Sequence, residues 1–253
     1  VAAAFWKRKN LKAKVLFPKG RVAERQRAQL TTWGENIESY EVDGSFDDCQ
    51  KMVKEAFMDK SITSGLSSSN SINIGRLLPQ MAYYAYASEM YLALYGEKPV
   101  IIVPSGNVGN VTGCFWAKAM GYPIERIVMA TNANRTIPDY LESGEYKPRA
   151  SVKTLANAMD VGAPSNMERL FDMFPTFEDF SASVSAKSVS DSEIQRTIKE
   201  VYEEDDYIIC PHTACGERVR RDYFSSSPTM VVSTAHPAKF ETIVEPLIGK
   251  SVP

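Results

Sequence analysis

The sequence predicts an α/β fold with parallel sheets and flanking helices, divided between two domains. Strand-like and helix-like segments alternate along most of the 253 residues. Strands joined through helices run parallel, with both faces of the sheet covered. One strand, residues 99–103 (Pro-Val-Ile-Ile-Val), is apolar without a break, the pattern of a strand buried on both sides. It runs straight into a glycine-rich turn, Pro104-Ser105-Gly106-Asn107-Val108-Gly109-Asn110, which a helix pattern follows.

The elements follow in order. Residues 1–10 read as the end of a helix. Ala13–Pro18 reads as a short buried strand turned by Lys19 and Gly20, residues 23–30 as a helix ending near Gly34, and Ile37–Val42 as an alternating strand. Ser45 is placed to cap a helix over Phe46–Met58, with Asp47 and Asp48 in the first turn, where the helix dipole favours acids. A long helix rich in Tyr, Ala and Met spans 77–95, and after the glycine turn come a helix at 111–121, a strand at Arg126–Thr131 and a short helix at 137–143. Residues 144–190 hold Pro148, Pro164 and Pro175 and are less regular. A helix at 191–202, capped by Ser190 or Asp191, and strands at 207–210 and 229–233 complete the pattern. Ligands of such sheets sit beyond the carboxyl ends of the strands. Three polar segments fall there, residues 105–110, 131–134 and 233–236, and their shared placement predicts one pocket.

Composition removes several classes. A net charge of -2 leaves no basic footprint for nucleic acid. No apolar run approaches the roughly 18 residues of a membrane span. The first ten residues do not read as a signal peptide, because their short apolar run precedes the positive charges. Cys49, Cys114, Cys210 and Cys215 are dispersed, the pattern of reduced thiols in a cytosol-like compartment.

Strand, glycine turn, helix is a geometry that binds phosphate, since the first helical N–H groups point outward unpaired and glycine lets an anion approach the backbone. The segment from Gly106 to Asn110 is neutral and carries neither the lysine of a P-loop nor the dinucleotide spacing, which points to a terminal monophosphate. Its plain reading is an ordinary strand-to-helix turn. A second polar run contains Asn70, Ser71, Asn73 and Arg76; Ser71 or Asn73 would serve as a helix cap, or the set would hold a second anion with Arg76 as a bidentate partner. Thr234, just after a strand, reads either as a turn residue or as a hydroxyl at a ring edge. Cys210, His212 and Cys215 mimic zinc spacing, but no second ligand cluster exists and no metal is expected. Asp160 reads as part of a core-lining loop, with a general base as the alternative.

Taken together, several segments resemble one family. They are residues 16–20 (Leu-Phe-Pro-Lys-Gly), 70–76 (Asn-Ser-Ile-Asn-Ile-Gly-Arg), 104–110, 130–134 (Ala-Thr-Asn-Ala-Asn), 155–161, 211–214 (Pro-His-Thr-Ala) and 234–240 (Thr-Ala-His-Pro-Ala-Lys-Phe). In order and spacing the chain resembles the threonine synthases of bacteria and fungi, within the tryptophan-synthase-β-like group of fold-type-II pyridoxal-phosphate enzymes. The resemblance implies that Gly106, Asn107, Val108, Gly109 and Asn110 hold the phosphate of pyridoxal 5'-phosphate and that Thr234 faces the pyridine nitrogen. It implies that Asn70, Ser71, Asn73 and Arg76 receive the phosphate of O-phospho-L-homoserine, which the family converts with water to L-threonine and phosphate. The family's Schiff-base lysine lies in a Ser-Phe-Lys-Asp motif that is absent from these residues, so it is expected upstream of Val1 and no lysine of the chain takes the catalytic role. The chain is accordingly expected to be an internal part of a longer enzyme and inactive by itself. Alternatives are a serine or threonine dehydratase of the same fold, and a non-catalytic homologue that binds a phosphorylated metabolite. The resemblance also implies residues 1–70 as part of a smaller mobile domain, residues 71–253 as the larger domain carrying the cofactor phosphate, an active site between them, a cytoplasmic enzyme, and a monomer or homodimer.

Overall fold

The computed structural model describes residues 2–62 and 65–252. The chain separates into two compact units, Val1–Ser69 and Asn70–Pro253. In the first unit, α1 (Ala2–Phe5) precedes β1 (Ala13–Pro18), α2 (Glu24–Thr31), β2 (Ile37–Val42) and α3 (Phe46–Met58). Of the helix expected over 1–10, residue 1 lies outside the described residues. β1 and β2 pair in parallel from Ala13 opposite Ile37 to Pro18 opposite Val42. Asn36 ties the chain around them, donating to the carbonyls of Phe5 and Leu11 and accepting the Lys7 N–H. Ser45 caps α3 by accepting the Asp48 N–H.

The second unit holds a four-stranded sheet, β3 (Val100–Pro104), β4 (Arg126–Thr131), β5 (Ser185–Ser188) and β6 (Thr229–Val231), in the order β5-β4-β3-β6. Every pairing is parallel. Side chains alternate along β3, as the two-residue period of a strand requires. Ile101 and Val103 face a core built with α5 (Met81–Tyr95), α6 (Gly109–Ala119) and α7 (Thr136–Ser143). The short helices α8 (Met167–Met173) and α9 (Phe177–Ser183) supply Leu170 and Phe180 to that same core. Val100 and Ile102 face the opposite core, filled by Ile194, Ile198, Ala214, Val219, Val244 and Ile248 of α10 (Asp191–Asp205), α11 (Pro211–Tyr223) and α12 (Glu241–Ile248).

Differences from the sequence pattern have physical causes. The long helix expected over 77–95 is divided: α4 (Ile74–Leu77), a 3-10 turn over Leu78–Gln80 that contains Pro79, and then α5. Proline has no N–H to continue an α-helical ladder. Residues 207–210 pair with no described strand, and the place beside β3 is taken by β6. Cys210 instead caps α11, its sulfur accepting the Thr213 N–H. Gly216 of α11 is packed so closely on the sheet that a Cβ would stand 2.7 Å from Val231 Cγ1. Residues 144–190 contain α8, α9 and β5, elements too short and too weakly patterned to stand out.

At α10 the expected cap is reciprocal: Ser190 Oγ accepts the Glu193 N–H, and the Glu193 carboxylate accepts the Ser190 N–H at 2.7 Å. Ser190→Ala is expected to lower stability by about 1 kcal/mol, measured as a lower urea midpoint with unchanged slope.

Candidate functional site

The glycine turn leaves the carboxyl end of β3 and enters α6. Its geometry is set by its own polar side chains. Ser105 donates to Asn110 Oδ1 at 2.6 Å, Asn110 Nδ2 donates to the Pro104 carbonyl at 2.9 Å, and Asn110 Oδ1 also accepts the Val111 N–H. Val108 is fully buried with φ 51°, a left-handed conformation that β-branched residues rarely hold. Strain of this kind persists only where the surroundings fix it, and it concentrates at binding loops. Among the described residues, the N–H groups of Gly106, Asn107, Val108, Gly109 and Asn110 have no protein acceptor. These five successive donors lie at the positive end of an eleven-residue helix, and no charged side chain lies between residues 104 and 112. Such a cradle fits a phosphate bound through backbone amides. The phosphate of pyridoxal phosphate matches that donor set without a lysine.

The two glycines serve packing as well. A Cβ on Gly106 would lie 2.6 Å from the Met159 Cα, and one on Gly109 would lie 3.0 Å from the Ser71 Cβ. Gly106 therefore rests on the 154–160 segment and Gly109 on the predicted second anion segment.

Ser71 meets the loop directly: its Oγ accepts Asn107 Nδ2 at 2.8 Å. Asn70 Oδ1 accepts the Ile72 N–H, and Asn73 Oδ1 accepts the Gly75 N–H to cap α4. Arg76 is exposed on α4. Thr234 is exposed three residues past the end of β6, the strand beside β3, so it shares the carboxyl edge of the sheet with the loop. Next to it, Ser233 Oγ lies 3.2 Å from Thr213 Oγ1 of α11.

Sequence reasoning gave little weight to the wall behind the loop. Asp160, almost entirely buried, accepts the Thr154 N–H and hydroxyl and the side-chain amides of Asn132 and Asn134. Burial raises its carboxyl to about 6 against the opposing pull of those donors. Asn132 and Asn134 follow β4, so this network fixes the second predicted polar strand end. His212, in the first turn of α11, accepts the Ala158 N–H at Nε2, and burial together with Lys239 pushes it down to about 4. The neutral ring thus carries its proton on Nδ1. Among the described residues, no three His, Cys, Asp or Glu side chains gather to hold a metal, and Cys49, Cys114, Cys210 and Cys215 are buried thiols.

A sequence model for the "Pyridoxal-phosphate dependent enzyme" family matches residues 1–225, and the chain belongs to that family. Within it, similar relatives carry one name. A threonine synthase of Buchnera aphidicola subsp. Acyrthosiphon pisum is 40% identical over 255 aligned residues, which cover 100% of this chain and 59% of that protein. The crystal structure of threonine synthase from Escherichia coli superposes with a TM-score of 0.92 at 38% identity, over 100% of this chain and 60% of that one. That of the PLP-bound threonine synthase from Brucella melitensis gives 0.83 at 35% identity, over 99% and 60%. The chain thus spans about three fifths of the relatives it matches. A threonine deaminase from Solanum lycopersicum, at 16% identity and a TM-score of 0.63, shares the fold. The α/β, fold-type-II architecture expected from the sequence is the one observed. Among the described residues, no helix is long and apolar enough to cross a membrane.

Proposed function

We propose that this chain is part of a threonine synthase, which converts O-phospho-L-homoserine and water to L-threonine and phosphate. The observation that carries the reading is the neutral five-amide cradle at the start of α6, in a chain about 40% identical to threonine synthases over its whole length. In this reading the N–H groups of Gly106, Asn107, Val108, Gly109 and Asn110 hold the cofactor phosphate. The Thr234 hydroxyl faces the pyridine nitrogen, and as a neutral partner it leaves the ring nitrogen without an enforced charge. Asn70, Asn73 and Arg76 line the pocket for the substrate phosphate, with Ser71 joining that segment to the cofactor loop, and the exposed Arg76 guanidinium supplies its positive charge. When bound, pyridoxal phosphate supplies an electron sink for carbanions formed beside the substrate amino group, while the protein binds and orients. A substrate that carries its own phosphate leaving group explains two anion subsites, one neutral and one cationic. The same reading makes the protein a cytoplasmic enzyme of small-molecule metabolism, monomeric or homodimeric, with 1–70 and 71–253 as its domain division.

The test is product analysis. A polypeptide that joins these residues to the Ser-Phe-Lys-Asp lysine segment is expected to release phosphate and L-threonine in equal amounts from O-phospho-L-homoserine. These residues alone are expected to form no threonine. Ammonia release from serine or threonine, with phosphohomoserine untouched, would replace this reading with a dehydratase.

A further inference from the structure

We propose that Asn166 is a positioning residue that locks the cofactor-phosphate loop to the Ser71 segment, with the Ser71 hydroxyl as the shared node; this rests on the cradle reading above. Asn166 lies 95 residues from Ser71 and 59 from Asn107, and it touches both. Its amide nitrogen donates to Ser71 Oγ at 3.2 Å and to the Asn107 carbonyl at 3.0 Å. Its neighbour Ser165 donates its N–H and hydroxyl to Asn107 Oδ1 at 2.7 and 3.1 Å. Arg169, one turn on, donates to the Ile72 carbonyl at 3.0 Å. The start of α8 therefore grips the middle of the loop and the 71–72 backbone together.

Ser71 is fully occupied in this arrangement. Its oxygen accepts from Asn107 and Asn166, while its own proton goes to Asn70 Oδ1 at 3.3 Å. A hydroxyl offers one donor and two acceptor sites, so none remains for a substrate phosphate. By composition Ser71 looks like an anion ligand; by geometry it joins two subsites.

Asn166 itself is 1% exposed, and its Oδ1 has no hydrogen-bond partner. A buried unsatisfied oxygen is costly, and an apolar side chain would avoid the cost. What the asparagine supplies is one amide nitrogen that donates to both targets at once. Gly109 packs against the same node: a Cβ there would also stand 3.2 Å from Asn166 Nδ2. The first residue of α6 is seated on the node, so a shift of Asn166 displaces the N–H groups that face the anion.

The experiment compares pyridoxine 5'-phosphate with pyridoxine, neither of which has an aldehyde to react with stray lysines, by fluorescence titration of wild type, Asn166→Ala, Ser71→Ala and the double variant. Each single change is expected to weaken binding of the phosphorylated ligand roughly tenfold and to leave pyridoxine unchanged. Because both changes break one node, the double variant should be no weaker than the worse single. A wild-type affinity in Asn166→Ala, or losses that simply multiply, would overturn the coupling while leaving the cradle intact. A wild-type protein with no preference for the phosphorylated ligand would overturn the cradle reading and this inference with it. Should Asn166→Ala fail to fold, Ser71→Ala carries the same comparison, since it empties the node from the other side.

Discussion

Gly106→Ala is expected to abolish phosphate recognition while adding a single methyl group. The new Cβ would sit 2.6 Å from the Met159 Cα and 3.0 Å from the Met159 carbonyl carbon and oxygen. These are backbone atoms, so no rotamer change relieves the clash. The wall is also held from several sides. The Met159 N–H donates to the Ala156 carbonyl, its carbonyl accepts the Val161 N–H, the Ala158 N–H is held by His212, and Asp160 sits in a four-donor network. The loop therefore gives way, taking with it the N–H groups on either side of Gly106. Overpacking of this kind costs about 1–3 kcal/mol of stability. A displacement near 1 Å in a positioned site costs on the order of a hundredfold in function. Titration of Gly106→Ala with pyridoxine 5'-phosphate should show at least that loss, alongside a modest fall in melting temperature. Retained affinity would mean that the phosphate does not sit on the amides of this turn.

Gly106 also shows what the sequence disclosed and what it withheld. A continuous apolar strand, a glycine turn and a helix start are local features, and the strand-turn-helix unit was legible without the structure. From the sequence, the two glycines make room for an anion. The structure adds that their missing Cβ atoms admit protein, Met159 behind one and Ser71 behind the other. That information is not local, because Met159 and Ser71 lie far along the chain from the turn. Asn166 was invisible for the same reason: its targets are 59 and 95 residues away, and nothing in its immediate neighbours marks it. Residues 207–210 failed in the other direction. Tyr-Ile-Ile-Cys has the composition of a strand, but a strand is defined by its pairing, which composition does not disclose, and the strand beside β3 is β6. The caps at Ser45, Asn73 and Ser190 were legible because a cap is written within four residues.

Asp160→Asn separates charge from shape in the wall and gives a pH-dependent result of definite sign. In the folded protein burial raises the Asp160 carboxyl to about 6, against an ordinary value near 3.8. A carboxyl that binds its proton more tightly when folded contributes stability that is fully present below the unfolded pKa, near pH 4. That contribution is lost as the pH rises through about 6. A shift of this size corresponds to about 3 kcal/mol. Asparagine does not titrate in this range, so the variant lacks that dependence. It carries a constant cost instead. Its single oxygen can serve the Thr154 hydroxyl and the amides of Asn132 and Asn134, leaving its own NH2 against the Thr154 N–H, a mismatch of about 1–3 kcal/mol. A protonated aspartic acid escapes that mismatch, because its second oxygen still accepts. The variant should therefore be the less stable protein near pH 4.5. Above pH 7 the difference should close or reverse, because the wild type then buries a charge with no cation among its hydrogen-bond partners. Urea unfolding of both proteins from pH 4.5 to 7.5 measures the difference directly. A gap that stays constant with pH would show that the four donors offset the cost of burial and that Asp160 is ionised throughout. The wall behind Gly106 would then be held by a permanent charge, and acid alone would not alter the site until the ordinary carboxylate range.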